Sequence, residues 1–314
     1  MNKRVVGIIL IFLLGITVGD TLLIQEKTPT TPFNNSHNSS NYNASNSSIP
    51  RIKNPLVVVL SFDYEDLITE KGKENLPSIF RVVEDHSATA TFFISGITAD
   101  RYPESVREIY ARGYSVGLHT YSQHFPVFRE EDAAIIEGVY NTSPNYVWDR
   151  SFKTPQAFYG DIKINQRMIM RAIDNATTPK IFRSPSLVVN WARDPRYFAV
   201  LRDAGIEVDS SIYQNFSNPE PFYDLHGIIE VPVTASEIRL NNLSKLTTMA
   251  NRSSMEGVPF VMFIHPHKLT NSDIEELDGF LGILEDEYEV TYLKVDEVPT
   301  YYGTSYLADD LYDS

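Results

Sequence analysis

The chain has 314 residues, of which 42% are hydrophobic, so most of it is able to bury a sizeable core. Its formal net charge is −14 at pH 7, and a surface that negative repels phosphate backbones, which argues against nucleic acid as a partner. The chain contains no cysteine, which excludes disulfides, thiolate metal ligands and cysteine nucleophiles. Any bound metal must therefore use His, Asp, Glu or similar ligands.

The N-terminus has the pattern of a membrane-targeting segment. Lys3 and Arg4 precede an unbroken apolar run at 5–18. Counted as 5–24, the segment is just long enough to span a bilayer, and the basic residues before it place the rest of the chain outside. We favour an uncleaved signal anchor at 1–24 over a cleaved signal peptide, because no A-x-A-like cleavage site is present. The expected location is extracytoplasmic, anchored to the membrane, or secreted if the segment is cleaved.

A polar spacer follows at 25–50. It is dominated by Asn, Ser, Thr and Pro and is unable to bury a core. Four N-x-S/T glycosylation sequons lie within it, at Asn34, Asn38, Asn43 and Asn46. Five more occur later, at Asn141, Asn175, Asn215, Asn242 and Asn251. The composition predicts a hydrated, glycosylated stalk that lifts a domain at 51–300 off the membrane. An acidic tail at 301–314 has no clear role.

The domain at 51–300 alternates short apolar runs with helix-like stretches. The runs, which predict buried strands, are Leu56–Phe62, Ala88–Ile94, Ser115–His119, Lys180–Arg183, Ile228–Val233, Phe260–His265 and Val290–Val295. The helix-like stretches are Pro77–Val83, Glu104–Arg112, Ile162–Ile173 and a final one traced by Ile274, Leu277, Leu281 and Leu284. This alternation predicts an α/β architecture with a parallel sheet, either closed as a barrel or left open.

Titratable side chains stand where the apolar runs end. In parallel α/β folds, functional groups collect at the carboxyl ends of the strands, so these residues are expected to lie together. They are Asp63, Glu65, Asp66, His119, Arg183, His265 and His267. The clustering predicts a polar site at one edge of the sheet.

Asp63 and Glu65 are two residues apart, so on an extended backbone both point to the same face. Two adjacent carboxylates repel each other unless a cation lies beside them. A metal ion would hold one carboxylate as a ligand and leave the other as a base. If the strand ends earlier, Asp66 replaces Glu65 as the ligand. The alternative to a metal site is a solvated acidic loop, which would contain the same residues.

Imidazoles and an arginine complete the candidate set. His119 and His124 flank four residues, and two His side chains in one short segment suggest a shared metal of the zinc type. Arg183 is able to clamp a carboxylate through two hydrogen bonds, although a surface Arg would look the same locally. Asp209 and His265 add a carboxylate and an imidazole, and a carboxylate that accepts from a ring nitrogen orients that ring.

In this order the pieces resemble the five motifs of the polysaccharide deacetylase family, which includes chitin and peptidoglycan N-acetylglucosamine deacetylases. The resemblance covers about 55–298. The segments Ala90–Phe93 and 113–119 also resemble sequences typical of the family. The resemblance implies a distorted (β/α) barrel with fewer than eight strands, a divalent metal with zinc as the expected ion, and an N-acetylated polysaccharide or surface glycan as the substrate. Glu65 is similar to a metal-binding carboxylate of the family, with His119 and a second His as further ligands.

The resemblance also implies the acid–base roles. Asp63 resembles the general base and Arg183 the residue that holds it. His265 resembles the general acid and Asp209 its carboxylate partner. The implied reaction is hydrolysis of an acetamide, in which the metal activates water, Asp63 accepts its proton and His265 protonates the departing amine.

The chain departs from the family pattern at three places. The two histidines of the second motif are usually four apart, whereas His119 and His124 are five apart and Gln123 occupies the usual position. We favour His124 as the ligand, brought in by a one-residue bulge, over the amide oxygen of Gln123. The fourth motif has Ser211 where tryptophan is common, and the first reads Asp-Tyr-Glu-Asp rather than paired aspartates.

Three other functions compete with a polysaccharide deacetylase. A carbohydrate-binding surface protein with an eroded metal site would explain Gln123. Against it, four residues serve turnover more obviously than binding: Asp63, Arg183, Asp209 and His265. A hydrolase of non-sugar amides would use the same groups. A structural surface protein is the weakest interpretation, because titratable residues cluster at strand ends.

Overall fold

The computed structural model describes residues 53–191 and 194–303. The predicted membrane segment, the stalk and nearly all of the acidic tail lie outside these ranges. Within them, every helix is too short or too polar to cross a bilayer.

The described part of the chain forms one curled, mostly parallel sheet of ten strands. The strands are β1 (Asn54–Tyr64), β2 (Ala90–Ile94), β3 (Ser115–Leu118), β4 (Ile181–Phe182), β5 (Val208–Asp209), β6 (Tyr223–Leu225), β7 (Ile228–Glu230), β8 (Ala235–Ser236), β9 (Phe260–Ile264) and β10 (Tyr288–Tyr292). Their order is β6-β7-β5-β4-β3-β2-β1-β9-β8, and β10 pairs with the first half of β1. The curl is consistent with the expected distorted barrel. The number of strands exceeds the fewer-than-eight expectation because short pieces such as β6, β8 and β10 extend the sheet.

Helices cover the outside of the curl. They are α1 (Lys71–Asp85), α2 (Gly96–Arg101), α3 (Pro103–Ala111), α4 (Glu130–Tyr140), α5 (Tyr146–Asp149), α6 (Pro155–Ala172), α7 (Pro195–Asp203), α8 (Leu243–Glu256), α9 (Asn271–Glu287) and α10 (Val298–Tyr302). Their starts follow local chemistry. Thr154 caps α6, whose first residue is Pro155, and Thr270 and Asp273 form a reciprocal capping box at α9.

Strand β1, which pairs with β2, β9 and β10, divides the core into two layers. Val57 and Val59 belong to a cluster inside the curl that also contains Phe93 and Phe263. The alternate residues of β1 belong to a larger cluster together with helix side chains. Because side chains alternate along a strand, the odd-numbered residues continue inside the curl to Asp63 at the carboxyl end.

Among the strands of the described residues, only β6 and β7 pair antiparallel, as a hairpin. Its two-residue turn is His226–Gly227, and both residues have positive φ, at 56° and 80°. A type I′ turn requires this backbone, and Gly227 adopts it without strain. The hairpin brings Glu230 of β7 beside Asp209 of β5.

Candidate active site

Four strands bring the candidate residues to one edge of the sheet. Asp63 lies in the last two residues of β1 and Glu65 directly after them. His119, Arg183 and His265 directly follow β3, β4 and β9. These strands run parallel, so their carboxyl ends meet at the same edge. The structure therefore brings five residues from four distant segments of the sequence into one site.

Arg183 lies inside the curl, fully buried, and holds Asp63. Its Nη1 donates to Asp63 Oδ1 at 3.0 Å and to Ser61 Oγ at 2.8 Å. Its Nε donates to the Ser210 carbonyl oxygen at 2.8 Å, and its Nη2 donates to Ser210 Oγ at 2.7 Å. The guanidinium also lies over the Phe93 ring, 4.2 Å from its centroid. Asp63 Oδ1 is thereby fixed, and Oδ2 faces His265 Nε2 at 3.9 Å.

Glu65 lies between two imidazoles. Its Oε2 is 3.3 Å from His119 Nε2, and its Oε1 is 3.5 Å from His265 Nε2. Burial opposes ionisation of Glu65, but the contacts with His119, His265 and His267 outweigh it and lower the pKa of Glu65 to about 2. Glu65 is therefore an anion at neutral pH.

The hydrogen bonds of His119 indicate where a cation belongs. Its Nδ1 lies 2.9 Å from the Arg183 carbonyl oxygen, which only accepts, so Nδ1 carries a proton. In neutral His119, Nε2 is then a lone pair that faces the Glu65 carboxylate. Two acceptors at 3.3 Å need a cation between them, either a proton or a metal ion. Glu65 and His119 therefore fit as two ligands of a divalent ion.

His265 is oriented by a residue that the sequence did not indicate. Its Nδ1 lies 2.9 Å from Glu237 Oε1. Burial disfavours the charge on each partner, but their mutual attraction prevails and lowers the pKa of Glu237 while it raises the pKa of His265. Glu237 accepts as a carboxylate, so the imidazolium of His265 presents Nε2–H toward Glu65 and Asp63. This is the arrangement of a proton donor.

Asp209 is not the carboxylate partner of His265, contrary to the expectation. Val208 packs inside the curl, so the next residue of β5 points to the helix side of the sheet. There Asp209 accepts from Tyr197 Oη at 2.7 Å and from Ser211 Oγ at 2.5 Å. Within 53–191 and 194–303, no hydrogen bond or ion pair joins Asp209 to His265. Glu237 takes this position from a 3-10 helix that follows β8, and no local pattern in the sequence marks it.

The second motif also differs from the expectation, because His124 turns away from the site. It is exposed, and its Nδ1 lies 2.6 Å from Ser122 Oγ. The segment after β3 is not helical, and Gln123 has a positive φ of 59°. Gln123 Nε2 is buried without a hydrogen-bond partner among the described residues. The exposure of His124 argues against this residue as the ligand and leaves the alternate, Gln123. The amide of Gln123 is the third candidate ligand, since rotating the amide exchanges its nitrogen and oxygen.

Asp66 and His267 border the site without joining its hydrogen bonds. Asp66 was the alternate ligand, but its carboxylate accepts from the backbone N–H groups of Gly72 and Lys73 at the start of α1. The His267 ring stands edge-on to His265, and its Nδ1 is buried without a partner in the described part of the chain. Burial lowers the pKa of His267 to about 4, so this ring is neutral. Among the described residues, no group of three or more His, Cys, Asp or Glu side chains is arranged to hold a metal ion.

We expect Gln123→His to raise the affinity for Zn²⁺, because imidazole is a better zinc ligand than a neutral amide. Changing a residue that supports a metal ligand costs roughly 10- to 100-fold in metal affinity. Improving a ligand itself should raise the affinity for Zn²⁺ by at least that factor. Isothermal titration with Zn²⁺ measures it. His124→Gln is the matched control and should leave the affinity unchanged, because His124 faces solvent. A loss of affinity in His124→Gln would show that His124 is the ligand after all.

Comparison with known proteins identifies the family. The family model described as polysaccharide deacetylase matches residues 51–208, about half of the chain. A crystal structure from Mycobacterium smegmatis, named provisionally as a polysaccharide deacetylase, is 13% identical, with a TM-score of 0.56 over 84% of this chain and 96% of that one. No curated protein sequence matches.

Two further solved structures are more distant in shape. A family 4 carbohydrate esterase from Streptomyces lividans in complex with acetate is 16% identical and covers 75% of this chain and 91% of that one, with a TM-score of 0.47. A CE4 family pseudoenzyme from Bacillus anthracis is 17% identical. The match covers 79% of this chain and 66% of that one, with a TM-score of 0.48. The extent of the family-model match decides the assignment: the chain belongs to the polysaccharide deacetylase family.

Proposed function

We propose that the chain removes N-acetyl groups from a surface or extracellular polysaccharide, with Asp63 as the base and His265 as the acid. Family membership supports a deacetylase hydrolase activity. One observation carries the assignment of roles: Asp63 Oδ2 and His265 Nε2 face each other at 3.9 Å, and each side chain is held by its own buried partner.

The two groups suit the two proton transfers of amide hydrolysis. As the oxygen of water bonds to the acetyl carbon, Asp63 Oδ2 accepts the proton that water releases. As the carbon–nitrogen bond breaks, His265 Nε2–H protonates the nitrogen, which leaves as a free amine. The attacking oxygen and the leaving nitrogen are bonded to the same carbon, so base and acid must lie close together. Arg183 and Glu237 keep them there.

Glu65 and His119 would hold a divalent ion, with zinc as the expected one, beside the acetyl group. Such an ion would supply Lewis acidity to the carbonyl. The third protein ligand would be the amide oxygen of Gln123, which is a weaker donor to zinc than an imidazole. His265 would not join the set, because its pKa is raised by Glu237 against the effect of burial and it keeps its Nε2 proton.

A substrate panel tests the proposal. The full-length chain, supplied with Zn²⁺, should release acetate and an equal amount of free amine from N-acetylglucosamine oligomers. It should release much less from small cyclic amides. Preferential opening of the cyclic amides would favour the hydrolase of non-sugar amides instead. The expected location at a cell surface rests on the apolar segment 5–24 of the sequence alone.

Gln123 gives a specific reason to keep a second candidate, a carbohydrate-binding surface protein without turnover. Its amide replaces an imidazole at the usual ligand position, and the described residues offer no set of three acidic or His ligands. This candidate predicts that N-acetylglucosamine oligomers bind to the purified chain while no acetate appears at saturating Zn²⁺.

A further inference from the structure

Two carboxylates lie side by side on the helix side of the sheet, away from the candidate site. Asp209 and Glu230 are register partners on the parallel strands β5 and β7, and neither side chain is exposed to solvent. Within the described residues, the ion pairs include neither of them. Two buried carboxylates without a cation cannot both be charged, so the pair must hold a proton.

The hydrogen bonds assign that proton to Glu230. Asp209 accepts from Tyr197 Oη, Ser211 Oγ and the Ser210 backbone N–H, which are bonds that favour an ionised carboxylate. Glu230 Oε1 accepts from the backbone N–H groups of Ser211 and Ile212, but Oε2 is buried with no partner in the described chain. A proton on Oε2 that is donated to Asp209 would satisfy both side chains.

The electrostatics agree with this placement. Burial raises the pKa of Glu230 well above its usual value, and the adjacent Asp209 raises it further. Burial also raises the pKa of Asp209 to about 6, against the hydrogen bonds that it accepts. The other titratable groups that face the pair are Tyr197 and Tyr223, whose pKa values are raised by burial, so both are neutral.

The pair holds the segment 210–212, and this segment holds Arg183. Ser211 and Ile212 donate their backbone N–H groups to Glu230 Oε1 at 2.7 Å and 3.0 Å. Ser210, directly before them, supplies two of the acceptors of Arg183 through its carbonyl oxygen and its hydroxyl. A path therefore runs from Glu230 by a hydrogen bond to Ser211, along the backbone to Ser210, and by further hydrogen bonds through Arg183 to Asp63.

We propose that Glu230 and Asp209 share one proton and act as positioning residues that set Arg183, and through it the base Asp63. The proton matters because a second negative charge would push the two strands apart beneath Ser210. The link to Asp63 rests on the proposed deacetylase function. The sharing of a proton by Glu230 and Asp209 does not depend on that function.

Two substitutions of Glu230 separate the proposal from a general packing role. Glu230→Gln keeps the acceptor at Oε1 and donates an N–H to Asp209, as protonated Glu230 does. Glu230→Ala removes both. We expect Glu230→Ala to lower kcat for acetate release by about 10²-fold with little change in KM, since a displaced catalytic group costs about that much. Glu230→Gln should restore most of the loss. Equal losses in the two variants would overturn the proposal.

Infrared difference spectra test the proton independently of activity. At pH 7 the spectrum of the wild-type chain minus that of Glu230→Gln should show the carbonyl band of one protonated carboxylic acid. Asp161, whose pKa burial raises to about 7, is present in both chains and cancels. Glu207→Gln, which changes an exposed carboxylate before β5, is the matched control and should keep the band. A difference spectrum without this band would overturn the assignment of the proton to Glu230.

A wild-type chain that releases no acetate would refute the deacetylase function alone. The crystal structure of Glu230→Ala then tests the path: displaced Ser210 and Arg183 support it, and an unmoved Arg183 overturns it. If Glu230→Ala does not fold, Ser210→Ala replaces it in both measurements, because it removes the acceptor of Arg183 Nη2.

Discussion

Replacing Asp63 with Asn should lower kcat/KM for acetate release from N-acetylglucosamine oligomers by about 10²- to 10⁴-fold. Asn is nearly the same shape, and its Oδ1 still accepts from Arg183 Nη1. Its amide accepts no proton at the position of Oδ2, however, so the attacking water loses its base. The measurement is acetate release under steady-state conditions, with Zn²⁺ present at the same concentration for every variant.

The buried position of Asp63 requires a control for folding. Removing one partner of a buried ion pair costs about 3–5 kcal/mol of stability, and Asn should cost less because one hydrogen bond remains. Circular dichroism and the melting temperature report whether the variant is folded at the assay temperature. Asp85→Asn, an exposed change at the end of α1, is the matched control and should keep full activity. A folded Asp63→Asn that keeps wild-type activity would exclude Asp63 as the base.

The second large effect is expected at His265. His265→Gln should lower kcat/KM by about 10²- to 10⁴-fold, because the amine then departs without its proton. The basic limb of the pH–rate profile should disappear with it. This limb reports the deprotonation of the acid. Only the protonated form of His265 is active, and this form predominates at pH values below its pKa. A folded His265→Gln variant with an unchanged basic limb would assign the acid to another group.

Glu237→Gln tests the partner that the structure assigns to His265. Burial lowers the pKa of His265 and the charge of Glu237 raises it, with the rise prevailing. Removing this charge leaves burial and the nearby Lys268 to lower the pKa, so the basic limb should move to lower pH. Activity should then fall most on the alkaline side and recover toward acid. Asp209→Asn should leave the position of the basic limb unchanged. If Asp209→Asn moves the limb and Glu237→Gln does not, the partner assignment is wrong.

The sequence predicted the strands that carry the site because these are buried on both faces. The runs Leu56–Phe62 and Phe260–His265 correspond to β1 and β9, which pair with neighbours on both edges and have almost no solvent-exposed side chains. Charged residues directly after such runs stand out, and this placed Asp63, Glu65, His119, Arg183 and His265 at one edge. The family-model match at 51–208 confirms the family resemblance and contains four of these residues, whereas His265 lies beyond it.

The sequence pattern did not predict the direction of individual side chains or the conformation of the loops. β5 is only two residues long, too short for alternation to show which face Asp209 occupies. Glu237 reaches His265 through a short 3-10 helix, which leaves no periodic signal. In the second motif, the positive φ of Thr120 and Gln123 turns the chain so that His124 faces solvent. A spacing argument that assumes regular backbone is unable to foresee this turn.

The central claim is that Asp63 and His265 act together on one acetamide. The most direct test is a double-mutant cycle of Asp63→Asn and His265→Gln, with acetate and free amine counted from N-acetylglucosamine oligomers. The wild-type chain should release the two products one to one, each single variant should lose nearly all activity, and the double variant should lose little more than the worse single one. A folded, zinc-loaded wild-type chain that releases no acetate would contradict the claim, and so would two single losses that multiply in the double variant.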